Sequence, residues 1–244
     1  RFRDRVMFPI RDPRGRVLGF GGRLLAEGEP KYLNSPETTL FHKGQELYGL
    51  HEIRLARTSL KRLIVVEGYM DVVRLHQAGV AYAVATLGTA TTPEHLRRLF
   101  RQVSEVVFAF DGDRAGRAAA WRALQTVLPE LREGRELYFL FLPEGEDPDS
   151  LVGREGSAGF EARLALALPL SEYLATQLRA QADLRHADGR AKYVALARPL
   201  LARVPPGVYL ELLSGRIAEE VGLGAERLRD RAHPARRDHQ RQPL

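Results

Sequence analysis

The chain has 244 residues, 44% of them hydrophobic, and no cysteine, which excludes disulfides, thiol catalysis and cysteine-ligated zinc within this sequence. Its formal charge of +6 rests mostly on arginine and favours polyanionic partners such as nucleic acid or nucleotides. No apolar run approaches a membrane span of about 18 residues, and Arg1-Phe2-Arg3-Asp4 lacks a signal-peptide pattern, so the expectation is an intracellular protein without a membrane partner, its leading arginine suggesting a piece of a longer chain.

Residues 1–60 read as a β-rich, basic subdomain. Val6–Ile10 and Arg16–Phe20 flank Asp12-Pro13-Arg14-Gly15, in which proline presets φ and glycine ends the turn, so a hairpin is expected. Gly21-Gly22 permits a bulge or a close backbone approach. Lys31 to Gly44 shows little periodicity and reads as loop.

Between 61 and 150 short apolar runs alternate with helical patterns. Leu63–Val66, Tyr82–Ala85, Val106–Phe110 and Leu137–Leu142 read as strands. The segments Tyr69–Gln77, Thr92–Arg101 and Ala115–Leu128 read as helices, the second opened by Thr91-Thr92-Pro93-Glu94 with cap, first-turn proline and acid. Strands apolar on both faces and separated by helices mean a parallel, helix-covered sheet. The expected fold is therefore α/β: a four-stranded parallel sheet with flanking helices, preceded by the basic β-rich subdomain. A small helical subdomain follows at 151–230, with helices at 170–179, 189–203 and 208–221, and 231–244 reads as a tail or linker.

Three of the strands run into acid. The first ends at Glu67 with Asp71 close behind, the third at Asp111-Gly112-Asp113, and the fourth at Glu144-Gly145-Glu146-Asp147-Pro148-Asp149. In an open parallel sheet the functional crevice lies beyond the carboxyl ends of the strands, so the three clusters converge on one edge. Carboxylates packed together raise one another's pKa, and a hard divalent cation relieves the repulsion. Such a site suits phosphoryl or nucleotidyl transfer. Taken singly, Asp113 is also a helix cap, Asp147-Pro148-Asp149 a turn, and Glu67 a strand-end charge. Gly112 is expected to leave room for a metal-bound phosphate, so that Gly112→Val would fold but be inactive. Arg23, Lys31 and Lys43 supply positive charge for phosphates, with Tyr32, Asn34 and His42 nearby. Arg114, Arg117 and Arg122 read either as a nucleic-acid face or as a solvated helix face, and Tyr138, Phe139 and Phe141 as core.

The motifs VVEGYMD, ATLGTA, FDGDRAGRAAAWRAL and FLPEGEDPDSL closely resemble the Toprim segment of bacterial DnaG-type primases. RVMFPIRDPRGRVLGFGGR and PKYLNSPETTLFHKGQELYGL resemble the basic part of the same polymerase core, and the resemblance runs almost unbroken to about residue 170. It implies a Toprim-type fold and an enzyme that makes short RNA primers from NTPs on single-stranded DNA at bacterial replication forks. By resemblance Glu67, Asp111 and Asp113 are catalytic. Glu67, Asp71, Asp111, Asp113, Asp147 and Asp149 look like ligands of two or more Mg²⁺ (or Mn²⁺) ions, and Arg23, Lys31, Tyr32, Asn34 and Lys43 like nucleotide- or template-binding residues. A guanosine alarmone is an implied inhibitor, and a cytoplasmic location is implied. Zinc would belong to an N-terminal module absent from this chain, and contact with the replicative helicase DnaB to an absent C-terminal module. Two other readings stand beside this one: a Toprim nuclease or topoisomerase-like enzyme, for which Tyr69 is an available nucleophile, and a non-catalytic nucleotide-binding module.

Overall fold

A computed structural model describes residues 2–56 and 60–228. They divide into two compact units, 2–127 with 134–170 and 128–133 with 171–228. The tail expected at 231–244 lies outside the described residues.

The first unit opens with a small antiparallel sheet. Strands β1 (Arg5–Arg11) and β2 (Val17–Leu24) form the expected hairpin. Asp12 locks its turn, since one carboxylate oxygen accepts from the backbone N–H of Arg14 and Arg16 at 2.8 and 3.0 Å while the other takes the Arg16 guanidinium at 2.7 Å. The register shifts at Ile10/Arg11, so the irregularity falls there and not at Gly21-Gly22. Those glycines serve close approach instead: a Cβ on Gly21 would sit 2.6 Å from the Tyr69 ring. The stretch read as loop contains a third strand, β3 (Tyr32–Asn34), paired with β2 through Gly21↔Asn34, Gly22↔Leu33 and Arg23↔Tyr32. Three residues show no usable periodicity, so only pairing with β2 reveals them. A short helix α1 (Leu50–Leu55) closes this part.

The second sheet has the order β5-β4-β6-β7-β8, built from β4 (Arg62–Val66), β5 (Ala83–Ala85), β6 (Glu105–Phe110), β7 (Glu136–Phe141) and β8 (Leu168–Pro169). The first four strands are parallel, as expected. A fifth strand is added to the expected four: β8, two residues long and antiparallel to β7, too short to be read from a pattern. The connecting helices are α2 (Tyr69–Gln77), α3 (Pro93–Phe100) and α4 (Arg114–Val127), each within two residues of its expected place. Helix α5 (Pro148–Leu164) follows β7. Ile64, Val66, Val107, Ala109 and Leu140 share one buried cluster with Val72 and Leu75 of α2 and Leu151, Val152 and Phe160 of α5. By strand alternation Leu63, Val65, Val106, Phe108 and Phe110 occupy the other face, also buried, where α3 and α4 pack on β6. Phe139 is fully buried in a stack with Phe108 and Phe110, which makes it core.

The chain passes from β4 outward to β5 and then returns to β6 on the other side of β4. The strand order therefore reverses between β4 and β6, and the carboxyl ends of these two strands frame the crevice where open α/β sheets bind ligands.

The second unit is helical, with α6 (Leu170–Arg179), α7 (Ala187–Leu201) and α8 (Val208–Glu219). Val204-Pro205-Pro206-Gly207 separates α7 from α8, as two prolines and a glycine at φ 153° cannot continue a helix. Arg216 of α8 ties to Glu172 of α6 at 2.8 and 3.1 Å and to Glu220 at 2.6 Å.

Candidate active site

Glu67 follows β4 and Asp111 follows β6, so both stand at the reversal of strand order. The carboxyl of Glu67 is held above its ordinary range, first by desolvation and then by the charges of Asp111 and Asp113, with Arg122 opposing. Asp111 is pushed up by burial, then by Asp147 and Asp113. Asp71, in the first turn of α2, is pushed up to about 7 by burial and by Asp147, against a 2.9 Å hydrogen bond that its carboxylate accepts from the Gly68 N–H. Glu67, Asp71, Asp111, Asp113 and Asp147 thus share one field at the carboxyl edge of the sheet, and no described cation forms an ion pair with any of them.

The remaining acids divide by local structure. Asp113 accepts from the Gly116 N–H at 2.7 Å, so the capping role open to it is real, and one oxygen is committed to α4. Asp147 caps α5 by accepting from Ser150 N–H at 2.7 Å, while Pro148 occupies the first turn. What reads as a turn is therefore a helix start. Asp149 pairs with Arg74 of α2 at 3.0 Å, which joins α2 to α5, while the charge of Asp149 also helps to raise Asp71.

Gly112 is explained by the chain and not by a ligand. A Cβ on it would lie 2.7 Å from the Pro143 carbonyl oxygen and closer still to that of Leu142, both backbone atoms. The loop after β7 presses on the loop after β6, and no sequence pattern signals that contact. The expectation that Gly112→Val folds is overturned.

The basic segment reaches the same edge through β3. The Tyr32 hydroxyl lies beside the Arg23 guanidinium and within the fields of Asp71 and Asp147. The Nε of Arg23 is buried with no hydrogen-bond partner among the described residues. Lys31 stands 6.0 Å over the Tyr32 ring. Asn34 is used structurally: its amide donates to the Leu87 carbonyl at 2.9 Å and its oxygen accepts from the Tyr69 hydroxyl. Tyr69 is 4% exposed and stacks on Phe8 at 5.4 Å, so it fastens the small sheet to the larger one. His42 lies 3.8 Å from Glu37. Arg117 covers the Phe141 ring at 5.7 Å.

Beside Glu67 a cavity of about 310 Å³ opens between the ends of β4 and β6, lined among others by Thr86, Gly88, Thr89 and Arg122. The Thr89 hydroxyl is buried there without a hydrogen-bond partner among the described residues. Arg122 is one of the three arginines read from the sequence as a nucleic-acid or solvated helix face, whereas Thr89 does not stand out; its one signal is that ATLGTA ends a strand and is rich in small residues.

Among the described residues no group of three or more histidine or carboxylate side chains is gathered closely enough to hold a metal ion. The donor set still fits a hard cation. It consists of carboxylate oxygens alone, mutually repelling and without an ion pair among the described residues, and Mg²⁺ takes one or two carboxylates with waters and substrate phosphates.

Comparison with known proteins decides the family. Residues 1–54 match the DNA primase catalytic core, N-terminal domain, residues 61–139 the Toprim domain, and residues 171–226 the DnaB-helicase binding domain of primase. A DNA primase domain from Pseudomonas aeruginosa has a crystal structure that superposes with a TM-score of 0.92 at 56% identity, covering 96% of this chain and 73% of that one. The chain belongs to the DNA primase family. The DNA primase of Escherichia coli K12 is 56% identical over 91% of this primase chain, and that of Pseudomonas aeruginosa 55% over 98%. This chain spans 38% and 37% of their respective lengths. A further structure, of a DnaG primase catalytic domain bound to ssDNA, aligns with a TM-score of 0.89 at 54% identity, covering 93% of this chain and 72% of that one. A Toprim domain in a DNA primase implies use of a divalent metal. The helicase-binding match corrects the expectation that such a segment lies outside this primase chain, since it falls on its own helical unit. Among the described residues no helix is long and apolar enough to cross a membrane.

Proposed function

We propose that this chain is the polymerising core of a primase that joins NTPs into an RNA primer on single-stranded DNA at the bacterial replication fork. The observation that carries the reading is the placement of Glu67 and Asp111 at the reversal of strand order, with Tyr32 of β3 and its cross-strand partner Arg23 of β2 beside the neighbouring acids. Glu67, Asp71, Asp111, Asp113, Asp147 and Asp149 would hold the metal, as Mg²⁺ or Mn²⁺ and two or more ions. Bound there, the metal would supply activation of a primer 3′-hydroxyl and charge neutralisation on the departing pyrophosphate.

The chain's own groups do the rest. Arg23, with an unpartnered Nε, and Lys31 and Lys43 hold phosphates of the incoming nucleotide or the template backbone. A guanosine alarmone, carrying the same phosphates, would compete for these groups. Tyr32 presents a ring beside them. Glu67, raised above its usual range, is suited to take a proton from the attacking hydroxyl. Asp149, which is paired with Arg74, and Asn34, which is bonded to Tyr69 and Leu87, also help orient the site. The helical unit is the segment that would contact a DnaB-type helicase, and any zinc module would lie outside this chain.

The topoisomerase-like alternative loses its nucleophile, since Tyr69 is buried and its hydroxyl is bound to Asn34, while burial pushes its pKa up. Primer synthesis on single-stranded DNA, measured with full-length protein carrying Glu67→Gln or Asp111→Asn, tests the proposal. The expected result is a loss of about 10²-fold or more without a lower Tm. Full synthesis by both variants would overturn it, and metal-dependent cutting of DNA by the parent would favour a nuclease.

A further inference from the structure

One face of α3 is given over to the segment that carries Lys43. Thr92, His95 and Arg98 recur every three residues and so lie along one side of the helix. The Thr92 hydroxyl donates to the Gly44 carbonyl at 2.5 Å, and His95 Nε2 meets the Lys43 carbonyl at 3.0 Å. Arg98 donates to the buried Glu46 carboxylate at 2.7 Å. Three positions of the segment, Lys43, Gly44 and Glu46, are thereby fixed from one helix. Phe41 and Leu47, 0% and 2% exposed, anchor it at either end. Yet the Lys43 ammonium, at the centre of this scaffold, has no hydrogen bond or ion pair among the described residues.

His95 is the central link. It is 0% exposed, and its Nδ1 accepts from the Thr92 N–H at 3.3 Å while Nε2 faces the Lys43 carbonyl. Only the neutral ring with its proton on Nε2 satisfies both neighbours, because an added proton on Nδ1 would point at a donor. Burial lowers its pKa. The hydrogen bonds to the Lys43 and Glu46 backbones and the charge of Glu94 act against that, and Arg98 adds to it.

We propose that α3 positions Lys43, and that His95, through its bond to the Lys43 carbonyl, is a positioning residue for nucleoside triphosphate binding. Fixing the backbone limits the places the ammonium reaches and reduces the entropy lost when it meets a phosphate. The inference rests on the reading of Lys43 as a phosphate-holding residue. It assigns work to a helix whose own side chains touch no part of the acid cluster among the described contacts. The loop that leads into α3 also supplies Thr89 and Thr91 to the cavity beside Glu67, so one connection serves both halves of the site.

The test is calorimetric titration of ATP with Mg²⁺ into the 244-residue chain and four variants, each checked by thermal melting. His95→Asn keeps an acceptor for the Thr92 N–H but falls short of Lys43, whereas His95→Gln reaches it. Lys43→Ala is expected to weaken ATP binding about tenfold, His95→Asn about three- to tenfold and His95→Gln less than twofold. The double variant is expected to match Lys43→Ala alone, because His95 acts through Lys43. If His95→Asn binds ATP as the parent does while Lys43→Ala weakens it, the inference falls and the reading of Lys43 stands. An effect of His95→Asn that persists in the Lys43→Ala background overturns it as well. No change in Lys43→Ala itself removes the reading on which the inference rests. Should His95→Asn not fold, Thr92→Ala taken through the same cycle reads the neighbouring bond to Gly44 and is held to the same outcomes.

Discussion

Two acid-rich regions of this chain, the carboxyl edge of the parallel sheet and helix α5, treat their carboxylates in opposite ways. Along α5, Glu155 meets Arg163 at 2.6 and 2.7 Å and Arg154 at 2.9 Å, and its pKa falls to about 2. Glu146 pairs with Arg154, and Asp149 with Arg74. At the sheet edge, Glu67, Asp71 and Asp111 form no ion pair among the described residues, the charge of Arg122 only partly offsets the rise of Glu67, and all three are raised. Arginine is equally available to both regions in the sequence. Acids whose charge the fold neutralises do structural work, and acids whose charge it leaves standing are stabilised only by a ligand.

That contrast breaks most severely at Gly112, which allows the acid edge to form. Gly112→Val, or even Gly112→Ala, places a Cβ against two backbone carbonyls that cannot move cheaply. A loss of about 3 kcal/mol or more is expected, seen as a large drop in Tm or as insoluble protein. A Gly112→Ala protein that melts with the parent would show that the two loops are not pressed together.

The next effect is smaller and has the opposite sign. Asp71 has a folded pKa of about 7 against an unfolded value near 3.8, so the folded state holds its proton more tightly. The associated stability is complete below about pH 4 and is lost as pH rises through about 7. Asp71→Asn removes the unfavourable charge and should raise the Tm of metal-free protein by a few degrees at pH 8 and by much less at pH 5. Millimolar Mg²⁺ at pH 8 should raise the Tm of the parent more than that of the variant. A lower Tm for Asp71→Asn at pH 8 without metal would mean that the acid edge is not under repulsion.

The smallest change is expected in α5. Glu155→Gln removes the charge that Arg163 and Arg154 share at the surface, so primer synthesis should be unchanged and the shift in Tm slight, fading in 1 M salt. The depressed pKa of Glu155 contributes stability above about pH 4.5 that is lost as pH falls towards about 2, so any difference from the parent should narrow in acid. An effect on synthesis comparable to that of Asp111→Asn would erase the distinction between the two regions.

Much of the fold was legible because its signals are local. The hairpin turn at Asp12–Gly15, the cap at Thr92-Pro93 and the apolar runs of β4, β6 and β7 declare themselves within a few residues. The acid edge was legible too, since a parallel sheet sends every strand's carboxyl end to one side. Elements without their own period were missed: β3 and β8 exist only through their partners, α1 has six residues, and α5 was hidden behind what reads as an acidic turn.

The amino-acid sequence by itself determined the alternation of strand and helix, and with it the gathering of acid at one sheet edge, because hydrophobic periodicity and chain direction are written residue by residue. Only the tertiary structure decided which acids stay without a cation, which arginines are spent, why residue 112 must be glycine and what holds Lys43 in place. Each of those depends on atoms far apart in the chain, as in the 52-residue separation of His95 from Lys43 and the 75 between Arg74 and Asp149, and on the desolvation that only packing creates.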